Sequence, residues 1–184
     1  MEGNAKRRFQ TKELAYMALF AVVLSVCSWL SIPAPIPFTL QTFGVFATLG
    51  LLGGRRSFFT IALYLLLGAV GVPVFSGFAG GPGVLFGMTG GYLWGFLFSA
   101  LAYALITARF GEGLLASACA MLAGLLVCYA AGTAWFMLVY ARQTGPIGLS
   151  SALGLCVLPF LVPDAVKLAL AALLVKQLKP RVRL

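Results

Sequence analysis

The sequence contains no histidine and very few charged side chains, and these absences exclude several classes of protein. Only 9% of the 184 residues are charged, whereas 61% are hydrophobic. A soluble domain of this length cannot cover so much apolar surface with so few polar side chains. We therefore predict an integral membrane protein.

Metal binding, ATP hydrolysis and nucleic-acid binding are also disfavoured. The four cysteines, Cys27, Cys119, Cys128 and Cys156, fall within apolar runs without CxxC spacing, so no metal site is predicted. No Walker A sequence is present, so no ATPase activity is expected. The net charge of +9 comes from basic residues that flank the apolar runs, and membrane topology explains them better than a nucleic-acid partner does.

The apolar runs are continuous and lack a two-residue alternation, which favours helices over a β-barrel. A helical span needs roughly 20 residues, so the chain has room for about six. We predict an all-α integral membrane fold in which residues 1–184 form one transmembrane domain. The predicted helices cover about residues 14–32, 39–53, 58–72, 91–107, 114–140 and 149–175.

The basic residues predict the orientation of these spans. Four lie before the first helix, two between the second and third, one after the fourth and four in the tail, which makes eleven of the thirteen. The other side holds only Arg142, while Lys167 lies within a span. Because basic residues concentrate on the cytoplasmic side, both termini are predicted to be cytoplasmic.

Two of the outer connections are then residues 33–38 and residues 73–90. The second is long, uncharged and rich in glycine, yet it carries several large apolar side chains. Non-helical backbone at membrane depth is tolerated only where protein buries it or where it lines a cavity. We predict a re-entrant or lid-like loop between helices 3 and 4, with an interfacial hairpin that has no ligand role as the alternative.

Asp164 and Lys167 stand three residues apart inside the last apolar run. An ionised side chain at membrane depth costs at least a few kcal/mol, and two opposite charges on one helix face offset each other's desolvation. Pro159 and Pro163 are expected to open the helix just before the pair. A small-molecule pocket, an ion pair that ties helices together and a proton or ion relay all remain open. The pocket fits best, because the predicted spans contain no other charged residue to continue a relay.

Further polar candidates stand at the starts of two helices. Gln41 offers both a donor and an acceptor, and Thr39 and Thr42 carry hydroxyls that can instead bond to the helix backbone. Tyr92 places a hydroxyl at the mouth of the fourth helix. The aromatic side chains available to pack an apolar ligand body are Phe38, Phe75, Phe78, Phe86 and Trp135.

Six segments, in order across nearly the whole chain, form a combined pattern. They are Pro35-Ile-Pro-Phe-Thr-Leu-Gln-Thr-Phe43, Leu51-Leu-Gly-Gly54, Tyr64-Leu-Leu-Leu-Gly-Ala-Val-Gly-Val-Pro-Val-Phe75, Gly80-Gly81, Gly87-Met-Thr-Gly-Gly-Tyr92 and Pro159-Phe-Leu-Val-Pro-Asp-Ala-Val-Lys167. Together they resemble the BioY family, the biotin-binding membrane subunits (S components) of energy-coupling factor (ECF) vitamin transporters. Each segment alone is a weak signal, and their combination is highly specific.

The resemblance implies a six-helix subunit of the prokaryotic cytoplasmic membrane that captures biotin from outside. It implies no cofactor and no enzymatic activity; the energy would come from a transmembrane coupling subunit and ATPase subunits. In the family, the Asp and Lys of the last segment contact biotin, and these roles carry over to Asp164 and Lys167. Asp164 would accept the ureido N–H groups, and Lys167 would stabilise that carboxylate or donate to the ureido oxygen. Residues 74–81 and 33–38 would form the lid.

Two departures from the family pattern affect the predicted contacts. Family members can use an amide side chain in the loop after helix 3, where this chain offers only Ser76 beside Phe75 and the backbone of Gly80 and Gly81. S components also tend to carry an Ala-x-x-x-Ala motif in helix 1 for docking on the coupling subunit. This chain has a small-residue face instead, formed by Ala18, Ala21 and Ser25.

Three other functions remain as alternatives. The chain could be an S component for another vitamin, an intramembrane enzyme that uses Asp164 as an acid or base, or a scaffold subunit whose ion pair fixes packing. Within the biotin hypothesis, the group that holds the ligand carboxylate is open. The candidates are Lys167, Gln41, Tyr92, Arg142 and N–H groups of the loop.

Overall fold

The computed structural model describes residues 9–33 and 36–182, and most of them are helical, as predicted. The helices are α1 (Thr11–Trp29), α2 (Gln41–Leu52), α3 (Gly54–Ala69), α4 (Pro82–Leu85), α5 (Gly90–Phe110), α6 (Leu114–Gln143), α7 (Leu149–Cys156) and α8 (Leu161–Leu178). Some residues used in the topology argument and in the first outer connection lie outside the described residues. They are Lys6, Arg7, Arg8, Ala34, Pro35 and Arg183.

The first outer connection contains a small hairpin that the all-α prediction did not include. Strand β1 (Ser31–Ile32) pairs antiparallel with β2 (Phe38–Thr39), with Ser31 opposite Thr39. The Leu40 N–H extends the pairing by donating to the Leu30 carbonyl at 3.0 Å. As a result, α1 ends at Trp29 and α2 begins only at Gln41, so both predicted helices are shorter at this end.

Four helical segments in the described part of the chain are long and apolar enough to cross a bilayer. They are α1, α5, α6 and the stretch Leu149–Leu178, which includes both α7 and α8. The other two predicted spans, α2 and α3, contain 12 and 16 residues. Ten of the twelve α2 residues are buried, so this helix occupies the centre of the bundle, where it contacts α1, α3 and α8.

Helix α3 begins at Gly54, directly after α2, so the predicted turn at residues 54–56 is part of the helix. Gly53 supplies the positive φ of 77° that ends α2, a conformation that glycine adopts without steric cost. Arg56 then lies in the first turn of α3 and forms an ion pair with Glu13 of α1 at 2.5 Å. At the same end of the bundle, Lys179 pairs with Glu112 at 2.9 Å.

The last predicted helix is broken, as expected from its two prolines. Helix α7 ends at Cys156, a 3₁₀ turn covers Leu158–Phe160, and α8 starts at Leu161. Pro159 lies inside the 3₁₀ turn, and Pro163 lies in the first turn of α8, where a missing N–H is tolerated. The break places Asp164 in the first turn of α8 rather than in the middle of a continuous helix.

The glycine-rich loop, residues 73–90, folds against the bundle and is tied to it by tryptophan side chains. Trp29 Nε1 donates to the Pro73 carbonyl at 2.8 Å, Trp94 Nε1 to Leu85 at 3.1 Å and Trp135 Nε1 to Gly87 at 2.9 Å. Val74, Phe75 and Leu85 of the loop are buried. The loop therefore packs as part of the protein core, which fits the re-entrant form of the prediction better than a solvated segment.

Candidate functional site

A cavity of about 170 Å³ lies at one end of the bundle, far above the roughly 10–15 Å³ that a single water needs. Its wall combines the β1–β2 hairpin, the glycine-rich loop, the start of α2 and the helix break before α8. Helix α2 begins at this cavity with Gln41 and ends at Leu52, which lies beside Glu13 and Arg56 at the opposite end of the bundle. The two connections that the sequence predicts on the outer side therefore contribute to the cavity wall, together with residues of α5, α6 and α8.

The buried carboxylate of Asp164 is the centre of the site. Oδ1 accepts hydrogen bonds from Thr42 Oγ1 and from Lys167 Nζ, both at 2.8 Å, and Oδ2 accepts one from the Tyr129 hydroxyl at 2.7 Å. Asp164 is 2% exposed, and its partners come from α2, α6 and α8. Removing either member of a buried ion pair leaves an uncompensated charge and typically costs about 3–5 kcal/mol. The carboxylate thus joins three helices and remains in the cavity wall.

Gln41 occupies the start of α2 and connects the cavity to the glycine-rich loop. Its Nε2 donates to the Tyr64 hydroxyl at 2.8 Å, and that hydroxyl donates to the Val74 carbonyl at 3.1 Å. Ser28 Oγ donates to the same carbonyl at 2.7 Å. The next residue, Phe75, is thereby directed into the cavity wall, where Ser76 also lies.

Tyr92 is held in the wall by close packing between α5 and α6. Its ring lies against the backbone of Gly132, where a Cβ would overlap it. Its hydroxyl donates to the Cys156 carbonyl at 3.2 Å, one of the carbonyls near the helix break, and lies 3.5 Å from Thr133 Oγ1. The sequence-predicted position of this hydroxyl at the mouth of α5 therefore coincides with the cavity.

The structure brings together seven of the nine predicted ligand contacts. The cavity-lining ones are Thr39, Gln41, Phe75, Ser76, Tyr92, Asp164 and Lys167. Gly80 and Gly81 are not among the lining residues. The Gly81 N–H donates to the Gly68 carbonyl at 2.7 Å, so it ties the loop to α3.

The remaining predicted residues lie away from this wall. On α1, Ala21 and Ser25 are 2% and 5% exposed and pack inside the chain, whereas Ala18 is exposed. A partner surface on α1 would therefore have Ala18 available but not the other two side chains. Arg142, one candidate for a ligand carboxylate, is exposed near the end of α6 and does not line the cavity.

Two side chains that hold Asp164 are not among the ligand contacts predicted from the sequence. Thr42 is only a polar candidate there, with a bond to its own helix as the alternative, and it donates to Asp164 instead. Tyr129 is not a candidate in the sequence analysis. A tyrosine in the middle of a long apolar helix is itself a signal, because a buried hydroxyl usually has a hydrogen-bond partner, but the sequence alone does not say which helix supplies it.

These observations define a class of protein: a helical membrane protein with an internal cavity whose wall contains a buried ion pair. Comparison with known proteins identifies the family. The chain belongs to the BioY family, whose model matches residues 3–184.

Two curated relatives match nearly the full length of the chain. The chain is 37% identical to "Biotin transporter BioY" of Thermotoga maritima, over 91% of this chain and 96% of the relative. It is 38% identical to "Probable biotin transporter BioY" of Pyrococcus horikoshii, over 92% and 98%. With four long apolar helical segments among its described residues, the chain is a multi-pass protein of the prokaryotic cell membrane.

A solved structure has the same fold. It is described as the S-component for biotin from an ECF-type ABC transporter, and it superposes with a TM-score of 0.82 over 94% of this chain and 95% of that chain. At 24% sequence identity, this likeness concerns the fold.

Proposed function

We propose that this chain is the biotin-binding S component of an ECF-type vitamin importer and that biotin binds in the cavity beside Asp164. It captures the vitamin for transport and performs no chemistry on it. The observation that carries the proposal is the buried Asp164–Lys167 pair in the cavity wall. The relatives named as biotin transporters match this chain over nearly its whole length.

The chemistry of the wall suits the two parts of biotin. A carboxylate accepts N–H donors and an ammonium donates to a carbonyl, so Asp164 and Lys167 together complement a cyclic urea. Phe75, Phe96 and Phe160 supply apolar surface in the same cavity for the rest of the ligand. Phe38 stacks on Phe160 with ring centroids 4.4 Å apart and so links the hairpin to this surface.

In the proposed topology all six predicted helical segments traverse the membrane and both termini are cytoplasmic. The ion pairs Glu13–Arg56 and Glu112–Lys179 support it, because they gather the start of α1, the start of α3, the α5–α6 turn and the end of α8 at one end of the bundle. The cavity at the other end would then open towards the outside. Burial of α2 inside the bundle lets a helix of only 12 residues serve as a span.

Uptake through this site needs an energy source, and the chain contains no ATPase motif. The proposed partners are therefore the transmembrane coupling subunit and the ATPase subunits of an ECF module. Docking through α1 stays a prediction, and Ala18 is the one of its three predicted residues that is exposed.

Equilibrium binding to the purified protein in detergent tests the function. Biotin is compared with other vitamins, namely thiamine, riboflavin and folate. We expect biotin alone to bind tightly. Tight binding of another vitamin and not of biotin would overturn the assignment in favour of a different S component.

A pair of carboxyl-to-amide substitutions tests the site. Asp164→Asn keeps the side-chain shape but removes the charge that faces Lys167, so biotin affinity is expected to fall at least about a hundredfold, since a charge-assisted hydrogen bond contributes roughly 1.5–3 kcal/mol and the buried Lys167 loses its counterion. The matched control is Glu112→Gln, which alters an exposed acid outside the cavity and should bind biotin as the wild type does. Retained biotin affinity in a folded Asp164→Asn protein would contradict the proposed site.

A further inference from the structure

Asp164 already uses most of its hydrogen-bonding capacity within the protein. An ionised carboxylate offers about four acceptor positions, two on each oxygen. Thr42 and Lys167 fill both positions of Oδ1, and Tyr129 fills one of Oδ2. One acceptor position, on Oδ2, is left for a ligand.

Lys167 is in the opposite situation. An ammonium has three N–H donors, and within the described residues one of them is used, on Asp164 Oδ1. The Lys167 side chain lines the cavity one helical turn from Asp164, on the same face of α8. The pair therefore presents one free acceptor beside free donors.

From this pattern we infer that Tyr129 and Thr42 are positioning residues that leave one acceptor position on Asp164, so that the site selects which of the two N–H groups of a cyclic urea lies beside the carboxylate, together with the neighbouring carbonyl. The N–H donates to Asp164 Oδ2 and the carbonyl accepts from Lys167 Nζ. This inference rests on the proposed function, since it specifies how biotin would lie in the same cavity.

The two positioning residues act from different helices. Tyr129 belongs to the middle of α6 and Thr42 to the first turn of α2, so the carboxylate is fixed only when α2, α6 and α8 pack together. A carboxylate held from both sides is oriented before the ligand arrives, which lowers the entropy lost on binding. The two N–H groups of a cyclic urea point away from each other, so the carboxylate accepts one of them at a time, and without these two hydroxyls either N–H could approach either oxygen.

Two isomers of biotin, each methylated on one of the two ureido nitrogens, distinguish these arrangements. The added methyl group is the same size in both, so each isomer controls for bulk in the other. If one particular N–H is selected by Asp164, equilibrium affinities of the isomers for the wild-type protein should differ at least tenfold. A difference below tenfold would overturn the inference, while tight binding of biotin itself would still uphold the proposed function. Absence of biotin binding would overturn both.

The role of Tyr129 is tested by Tyr129→Phe, with Tyr103→Phe as the matched control. Tyr103 is also a buried tyrosine whose hydroxyl bonds between α5 and α6, to Ser117 at 3.2 Å, and it does not line the cavity. Tyr129→Phe frees a second position on Oδ2, so the affinity ratio of the two isomers should fall at least threefold, whereas Tyr103→Phe should leave that ratio unchanged. A merely structural role would weaken biotin and both isomers in parallel, and an unchanged ratio would refute the positioning role.

Thr42→Val provides a second measurement of the same ratio should Tyr129→Phe not yield folded protein. Its matched control is Thr48→Val on the same helix, because the Thr48 hydroxyl bonds to the Gly44 carbonyl of α2 at 2.7 Å. The isomer ratio is expected to fall at least threefold in Thr42→Val and to stay at the wild-type value in Thr48→Val. Equal ratios in the two variants would refute the role of Thr42.

Discussion

The ring of Phe75 lies directly on the backbone of Gly68, in space that any side chain at residue 68 would occupy. Phe75 is 2% exposed, packs edge-on against Tyr64 and forms part of the cavity wall. Gly68 sits near the end of α3, and the loop returns to it through the Gly81 N–H. Because Gly68 has no Cβ, the ring of Phe75 can lie against α3 and form one wall of the cavity.

The substitution Gly68→Ala is expected to displace Phe75 and weaken biotin binding. Overpacking a filled site typically costs about 1–3 kcal/mol, so the thermal unfolding midpoint should fall and biotin affinity should drop about tenfold or more. Gly83→Ala is the control, because a Cβ there meets no atom within 4 Å. Equal affinities of the two variants would show that the position of Phe75 does not shape the site.

The hydrogen bonds donated by Trp29 and Trp135 are expected to determine where the glycine-rich loop opens. Trp135→Phe removes the donor to the Gly87 carbonyl, and Trp29→Phe removes the donor to the Pro73 carbonyl. One lost hydrogen bond is worth about 1 kcal/mol, so amide hydrogen exchange should become roughly fivefold faster near the lost bond. Each variant is the positional control for the other: Trp135→Phe should act near residue 87 and Trp29→Phe near residue 73. Faster exchange over the whole loop in both would mean that it opens as one unit.

Much of the fold follows from composition and proline placement, because long apolar runs and helix-breaking prolines act locally. The helix break around Pro159 and the placement of Asp164 and Lys167 just after it could be predicted in this way. The β1–β2 hairpin is not, since two strands of two residues have no detectable alternation. Similarly, Arg56 lies within α3 rather than in the predicted turn, and its partner Glu13 is 43 residues away, a pairing that a local sequence pattern does not contain.

The residues of the candidate site also fall into two groups: those that the sequence indicates and those that only the packing of the helices brings to the site. Asp164 and Lys167 stand out because charges in an apolar run are costly, and Gln41 and Tyr92 because they begin helices at the outer side. Tyr129 and Thr42 gain their roles from bonds that span 35 and 122 residues. Only the packing of α2, α6 and α8 brings those hydroxyls to the carboxylate.

The ion pair between Glu13 and Arg56 is predicted to stabilise the end of the bundle opposite the cavity. Both Arg56 Nε and Nη2 donate to Glu13 Oε1, and the side chains of Arg56 and Glu13 are only 25% and 16% exposed. Glu13→Gln should therefore lower the free energy of unfolding by about 1 kcal/mol, whereas Glu112→Gln, in a more exposed pair, should change it by less than about 0.5 kcal/mol. Thermal unfolding of the purified variants in detergent measures both. A larger loss in Glu112→Gln would contradict this ranking.

The charged residues that line the cavity indicate how the carboxylate end of biotin is recognised. Among the described residues that line the cavity, Lys167 is the only cation, and it is paired with the only anion, Asp164, at 2.8 Å. A buried ligand carboxylate would add a net negative charge to this neutral wall, which is costly unless it has its own partner. The carboxylate is therefore expected to lie at the mouth of the cavity, where water and neutral donors meet it.

Biotinamide, which lacks that charge, should then bind within about tenfold of biotin, because no charge-assisted hydrogen bond, worth roughly 1.5–3 kcal/mol, is lost. Equilibrium binding of both ligands to the wild type measures the ratio. Arg142→Gln is the control, since Arg142 does not line the cavity and its loss should leave the ratio unchanged. A hundredfold weaker biotinamide would instead mean that Lys167 leaves Asp164 to bind the carboxylate, and a ratio that changes in Arg142→Gln would mean that Arg142 reaches the ligand.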